Sequence, residues 1–262
     1  MRSFTPLEMV LRRDRLIVLA GLMGVAALAW TYTVYLAHDM GNMDLGTGMA
    51  MPMRQAWHLM DFVSMFLMWT VMMVAMMVPT AAPMILIFAN VNRRRQEQEQ
   101  PYVPTAVFLS GYLLVWTCFS IIAALAQWGL HEAALLSPMM VSTSPMFGGI
   151  SLLAAGIFQW TPLKHACLRH CRSPLSFLMT DWHEGYWGAF NMGLKHGSYC
   201  TGCCWFLMAL LFVAGVMNLL WVATITAFVL VEKAVSRGDL VSRIAGVALC
   251  IAGLVMLVQV WS

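Results

Sequence analysis

His196, Cys200, Cys203 and Cys204 stand inside an otherwise apolar stretch that runs from Gly193 to Val216. At 100° per residue on a helix they fall at about 0°, 40°, −20° and 80°, so all four share one face. Lys195 points away from it. An imidazole and thiols at i, i+4, i+7 and i+8 form a soft nitrogen and sulfur set of the kind that binds Cu(I), with Zn(II) as the alternative, and a partner helix would close the coordination sphere. The competing reading makes the cysteines small hydrophobes in a tight helix interface, with Gly193, Gly197 and Gly202 letting backbones approach. Ionisable residues within a bilayer usually face a bundle interior or a wet cavity and mark function, which favours a ligand or redox role.

Three further groups of soft side chains accompany this one. If Pro162 to Arg172 is helical, Cys167, His170 and Cys171 share a face and make a second N/S set. Three ligands are too few for a closed structural zinc site, so this set reads as an intake or release point, against the alternative of a basic interfacial segment with inert thiols. Upstream, His38, Met40, Met43, Met49, Met51 and Met53 lie in a glycine-broken stretch with two aspartates, expected to be an outward loop over residues 38–57. Thioethers are soft ligands for Cu(I) that need no deprotonation, so the loop is expected to capture the ion. A methionine-dense helix follows. In it Met65, Met68, Met72 and Met76 lie within about 80° of arc, either as deformable packing or as donors that carry a soft cation inward. Pro79 and Pro83 should free backbone carbonyls in this helix.

The elements that position these groups follow from composition. Of 262 residues 61% are hydrophobic and only 10% charged, with mean hydropathy +0.75; a soluble domain carries roughly a quarter charged residues. The chain reads as one all-α polytopic membrane domain over residues 1–262, with about seven transmembrane helices near residues 16–37, 62–89, 104–128, 147–163, 188–216, 219–235 and 244–261. Arg2, Arg12, Arg13 and Arg15, then Arg93 to Arg95, then Lys164, Arg169 and Arg172, then Lys233, Arg237 and Arg243 fall on one side. Positive loops stay inside, so the amino terminus is expected in the cytoplasm and the carboxyl terminus in the periplasm. Glu232 and Lys233 read as a boundary marker. The net charge of +3 records this topology and does not point to nucleic acid. The seven cysteines are an odd number, and none falls in an outward loop where disulfides would form.

Several short motifs, in this order, carry a resemblance: Met68 to Pro79 with Pro83; Gln159 to Lys164 followed by Cys167 and Cys171; His196-Gly197 through Cys200, Gly202 to Trp205 and Met208; Met217 to Leu219; and Glu232-Lys233. Over about residues 60 to 235 the chain resembles a bacterial family of predicted metal-binding integral membrane proteins, similar to the copper-delivery partners of bacterial tyrosinases. The resemblance implies a copper-related role without deciding between delivery, transport and use of the ion.

The expectation is therefore a multi-pass protein of the bacterial inner membrane that captures Cu(I) and passes it to a cuproenzyme or partner subunit. His196, Cys200, Cys203 and Cys204 would hold the ion, helped by Met72 or Met76. The alternative is a subunit of a membrane-bound, monooxygenase-like copper oxidoreductase. The sequence lacks the dense His and carboxylate cluster that oxygen chemistry would require, and no residue is assigned a catalytic role.

Overall fold

The structure, a computed structural model, describes residues 6–46, 59–99, 103–133 and 144–261. Among these residues every regular element is a helix: α1 (Pro6–Gly46), α2 (Leu59–Glu97), α3 (Thr105–Glu132), α4 (Pro145–Phe158), α5 (Pro162–Arg172), α6 (Pro174–Thr180), α7 (Gly185–Ala209), α8 (Leu211–Ala214), α9 (Leu219–Ala234) and α10 (Gly238–Trp261). In hydrocarbon the backbone must satisfy its own hydrogen bonds, which leaves helices as the form for such apolar segments. Side chains start three of them. Ser144 accepts from the Phe147 amide with Pro145 behind it, Thr161 accepts from the Lys164 amide with Pro162 behind it, and Asn218 accepts from the Leu220 and Trp221 amides.

Five of the helices, or six if the bent pair of α4 and α5 is one span, are long and apolar enough to cross a membrane. The regions expected as the fourth and sixth of seven spans account for the difference. The fourth is a 14-residue helix that breaks at residues 159–161 and turns by 63° into α5. The sixth is α9, whose 16 residues rise about 24 Å, short of a hydrocarbon core of about 30 Å. The expected loop from residue 38 also starts later, because α1 continues helical through Gly46. Gly41 is tolerated inside it at the modest cost a helical glycine carries.

Packing runs α1 on α2, α2 on α3 and α3 on α7, with α5 against α7; α4 pairs with α10, and α9 lies between α2 and α10. Pro79 has no N–H for the Ala75 carbonyl, and the indole N–H of Trp30 on α1 donates to that carbonyl instead at 3.1 Å. The freed carbonyl expected from the proline thus ties α1 to α2. Two glycines set the approach of α3 and α7. A Cβ at Gly111 would collide with the Phe190 carbonyl, and one at Gly193 with the Phe108 carbonyl. Only glycine allows backbones this close, the small-residue contact by which membrane helices associate without a hydrophobic driving force.

Candidate metal centre

The approach of α3 and α7 places Tyr112 against Cys200, hydroxyl to sulfur 3.2 Å, while the same hydroxyl lies 3.1 Å from the Met77 carbonyl of α2. All four residues read from the periodicity of α7 are inside: Cys200, Cys203 and Cys204 have no exposed surface, and His196 is 2% exposed. Lys195 leaves the bundle and pairs with Asp181, as the helical spacing required. The Cys203 and Cys204 thiols each donate to the Cys200 carbonyl, at 3.0 and 2.9 Å. A fourth thiol joins them from another helix, because Cys171 of α5 interacts with both Cys200 and Cys203. His196 stacks on Tyr112 at 5.8 Å and meets Phe177 edge-on at 5.8 Å, and its Nδ1 is buried without a hydrogen-bond partner. A buried imidazole nitrogen with no partner costs free energy that a ligand would recover.

The set expected on α5 divides. Cys171 turns to the central thiols. Cys167 packs over Gly202, where a Cβ would lie 2.9 Å from its sulfur, so this glycine makes room for a thiol rather than for a backbone. His170 is exposed, stacked at 4.3 Å on Tyr199 with its Nδ1 2.8 Å from the Ala166 carbonyl. Met72 and Met76 are fully buried in the common core together with Met73 and Met77, so methionine fills α2 beyond the one expected stripe. The α2 groups seen against the site are the Met77 carbonyl and Thr80. His38 is exposed on α1, Met40 and Met43 fall on its last turns, and Met49, Met51 and Met53 lie outside the described residues.

Three charged residues that the sequence reading took only as boundary or topology markers complete the surroundings. Lys233, expected to mark a helix boundary, turns its ammonium inward, 3.0 Å from the Cys200 sulfur and 3.1 Å from the Thr80 hydroxyl. Its neighbour Glu232 is wholly buried and pairs with the equally buried Lys164 of α5 at 2.7 Å. Glu232 also accepts from Ser242 of α10, whose hydroxyl lies 3.0 Å from the Gln159 side chain at the α4–α5 break. An ionisable residue within an apolar helix was the available signal for Glu232 and Lys233 on α9, whereas Lys164 stands in the basic α5. Only their partners on other helices separate them from ordinary end-of-span charges.

The donor set is chemically suited to a soft cation: four thiols and one imidazole nitrogen, with Cys200, Cys203, Cys204 and His196 buried. As they stand, no three His, Cys, Asp or Glu groups among the described residues converge to hold a metal ion. The geometry explains this in part, since Cys203 and Cys204 spend their thiols on a backbone carbonyl of their own helix. A change of χ1 between staggered wells would release each sulfur from that local bond.

A family model described as PpoB2: Copper chaperone matches residues 66–256. No curated protein and no solved structure matches the chain.

Proposed function

The chain belongs to the PpoB2 copper chaperone family, and from that premise we propose that it captures Cu(I) in a bacterial inner membrane and hands it to a cuproenzyme or partner membrane subunit. The observation that carries this reading is the burial of Cys200, Cys203 and Cys204 on one helix together with His196, whose imidazole Nδ1 lacks a partner. Copper is the cargo here. Cys200, Cys203 and Cys204 would hold it, with Cys171 and His196 available to complete or exchange the coordination.

The arrangement suits passage rather than permanent storage. Thiols must lose their protons to bind a metal, so binding is coupled to proton release. Extra sulfurs next to an ion allow one ligand to replace another without a naked intermediate, and a partner's soft donor can enter the same exchange. Cys171 and Cys167 on α5 mark the side from which such a partner would approach. The segment holding His38, Met40, Met43, Met49, Met51 and Met53 remains the proposed intake on the other side.

The test is the copper content of protein purified anaerobically in mild detergent after Cu(I) loading. The wild type should hold copper in stoichiometric amount, and the Cys200→Ser/Cys203→Ser/Cys204→Ser variant should lose most of it. Full wild-type stoichiometry in that variant would remove the central site.

A further inference from the structure

Resting on that reading of the thiol cluster, we propose that Lys233 is its charge filter, a residue that makes the site select singly charged soft cations over doubly charged ones. Two successive residues of α9 point their charges in opposite directions. Lys233 delivers its ammonium to the Cys200 sulfur at 3.0 Å, anchored by the Thr80 hydroxyl at 3.1 Å, and the thiols of Cys203 and Cys171 lie within its electrostatic reach. Glu232, the carboxylate that could compensate it, is turned away, paired with Lys164 and hydrogen-bonded by Ser242. Of the carboxylates near this end of the bundle, Asp239 lies half-exposed beside Arg172 and His165, Asp181 pairs with Lys195, and Glu184 pairs with Arg95. The charge fixed beside the sulfurs is therefore positive, and among the described residues no carboxylate pairs with it.

Any cation that takes the Cys200 sulfur comes close to this ammonium. Coulomb repulsion scales with the product of the charges, so a divalent ion meets twice the opposition a monovalent one does. In the poorly screened interior that difference outweighs what it would be at a surface. Softness of the ligands selects the class of metal, and Lys233 then discriminates by charge within the class. With thiolates as ligands the same ammonium also offsets the excess negative charge that two or three sulfurs leave around a single positive ion. Cu(I) fits this field, and Zn(II) is disfavoured by it.

Ag(I) and Cd(II) isolate the effect, because both are thiophilic closed-shell ions that differ in charge. Competition binding of the two on full-length protein in detergent gives a selectivity ratio for the wild type, for Lys233→Met, which removes the charge at similar length, and for Lys233→Arg, which keeps it. Lys233→Met should shift the ratio toward Cd(II) by about tenfold or more, and Lys233→Arg should stay near wild type. If Lys233→Met does not yield monodisperse protein, Lys233→Gln, which keeps a hydrogen bond to Thr80, carries the same comparison. An unchanged ratio in the neutral variant, with Ag(I) still bound through the cysteines, would overturn the filter and leave the thiol site standing. Failure of the wild type to bind Ag(I), or full binding by the triple-serine variant, would remove the site and the filter together.

Discussion

Cys200 differs from Cys203 and Cys204 in what its sulfur touches: a tyrosine hydroxyl and a lysine ammonium, against the backbone carbonyl that occupies the other two. Its loss should therefore cost more than theirs. Cys200→Ser alone is expected to weaken Cu(I) binding at least about tenfold, roughly the discrimination of one good charge-assisted contact, and competition with a chelator of known affinity measures it. The Lys164–Glu232 pair makes a prediction about stability instead. Glu232→Gln leaves a buried ammonium uncompensated and should cost about 3–5 kcal/mol, while Glu232→Gln with Lys164→Met should recover much of that loss. Thermal unfolding in detergent distinguishes the two. His196 and the three cysteines of α7 were legible because helical period alone fixes a shared face. Lys233 was not, since its partners lie 33 and 153 residues away and no local pattern encodes them.

Between elements, the site depends on how closely α3 and α7 approach. Gly193→Ala or Gly111→Ala places a methyl against a backbone carbonyl that cannot move aside alone. Each should destabilise the protein by about 1–3 kcal/mol as overpacking does, and should lower copper occupancy by pulling Tyr112 from Cys200. Trp30→Phe, at the α1–α2 junction, removes the donor to the carbonyl freed by Pro79 and is expected to cost about 1 kcal/mol with copper content unchanged. The glycine variants and Trp30→Phe separate a contact that builds the site from one that merely joins helices. The sequence announced that prolines would free carbonyls in α2, but the side chain that answers one of them comes from α1, 45 residues earlier. Glycines 193, 197 and 202 were all read as backbone contacts. Two of them are placed against α3, near Phe108 and Val115, whereas Gly202 yields its space to the Cys167 sulfur.

At the scale of the molecule, the buried charged pair and its polar neighbours lie at the level of the thiols. The break after α4 supplies Gln159, the end of α9 supplies Glu232 and Lys233, and the start of α10 supplies Ser242. From this level Ala214 is 14 residues beyond Cys200 and Leu59 lies 21 residues before Thr80, which are helical rises of about 21 and 32 Å. The thiols thus sit level with the ends of the short helices α4 and α9, beside the basic α5, while Cys200 itself lies midway along the span formed by α7 and α8. Hydropathy could not reveal this, because a 16-residue helix that ends on a polar site and a full crossing look alike in a sliding window. The expected route of approach is from the side bearing Arg93 to Arg95. In a Cys118→Ser/Cys250→Ser background, an impermeant maleimide applied to that side should label Cys171, with Cu(I) loading giving protection. Labelling confined to the opposite side would reverse the route.

X-ray absorption at the copper edge of Cu(I)-loaded protein reads the ligands themselves. The account predicts a first shell dominated by sulfur that collapses when Cys200, Cys203 and Cys204 are replaced by serine. A shell of nitrogen and oxygen scatterers alone, or a sulfur shell that survives the triple replacement, would contradict it.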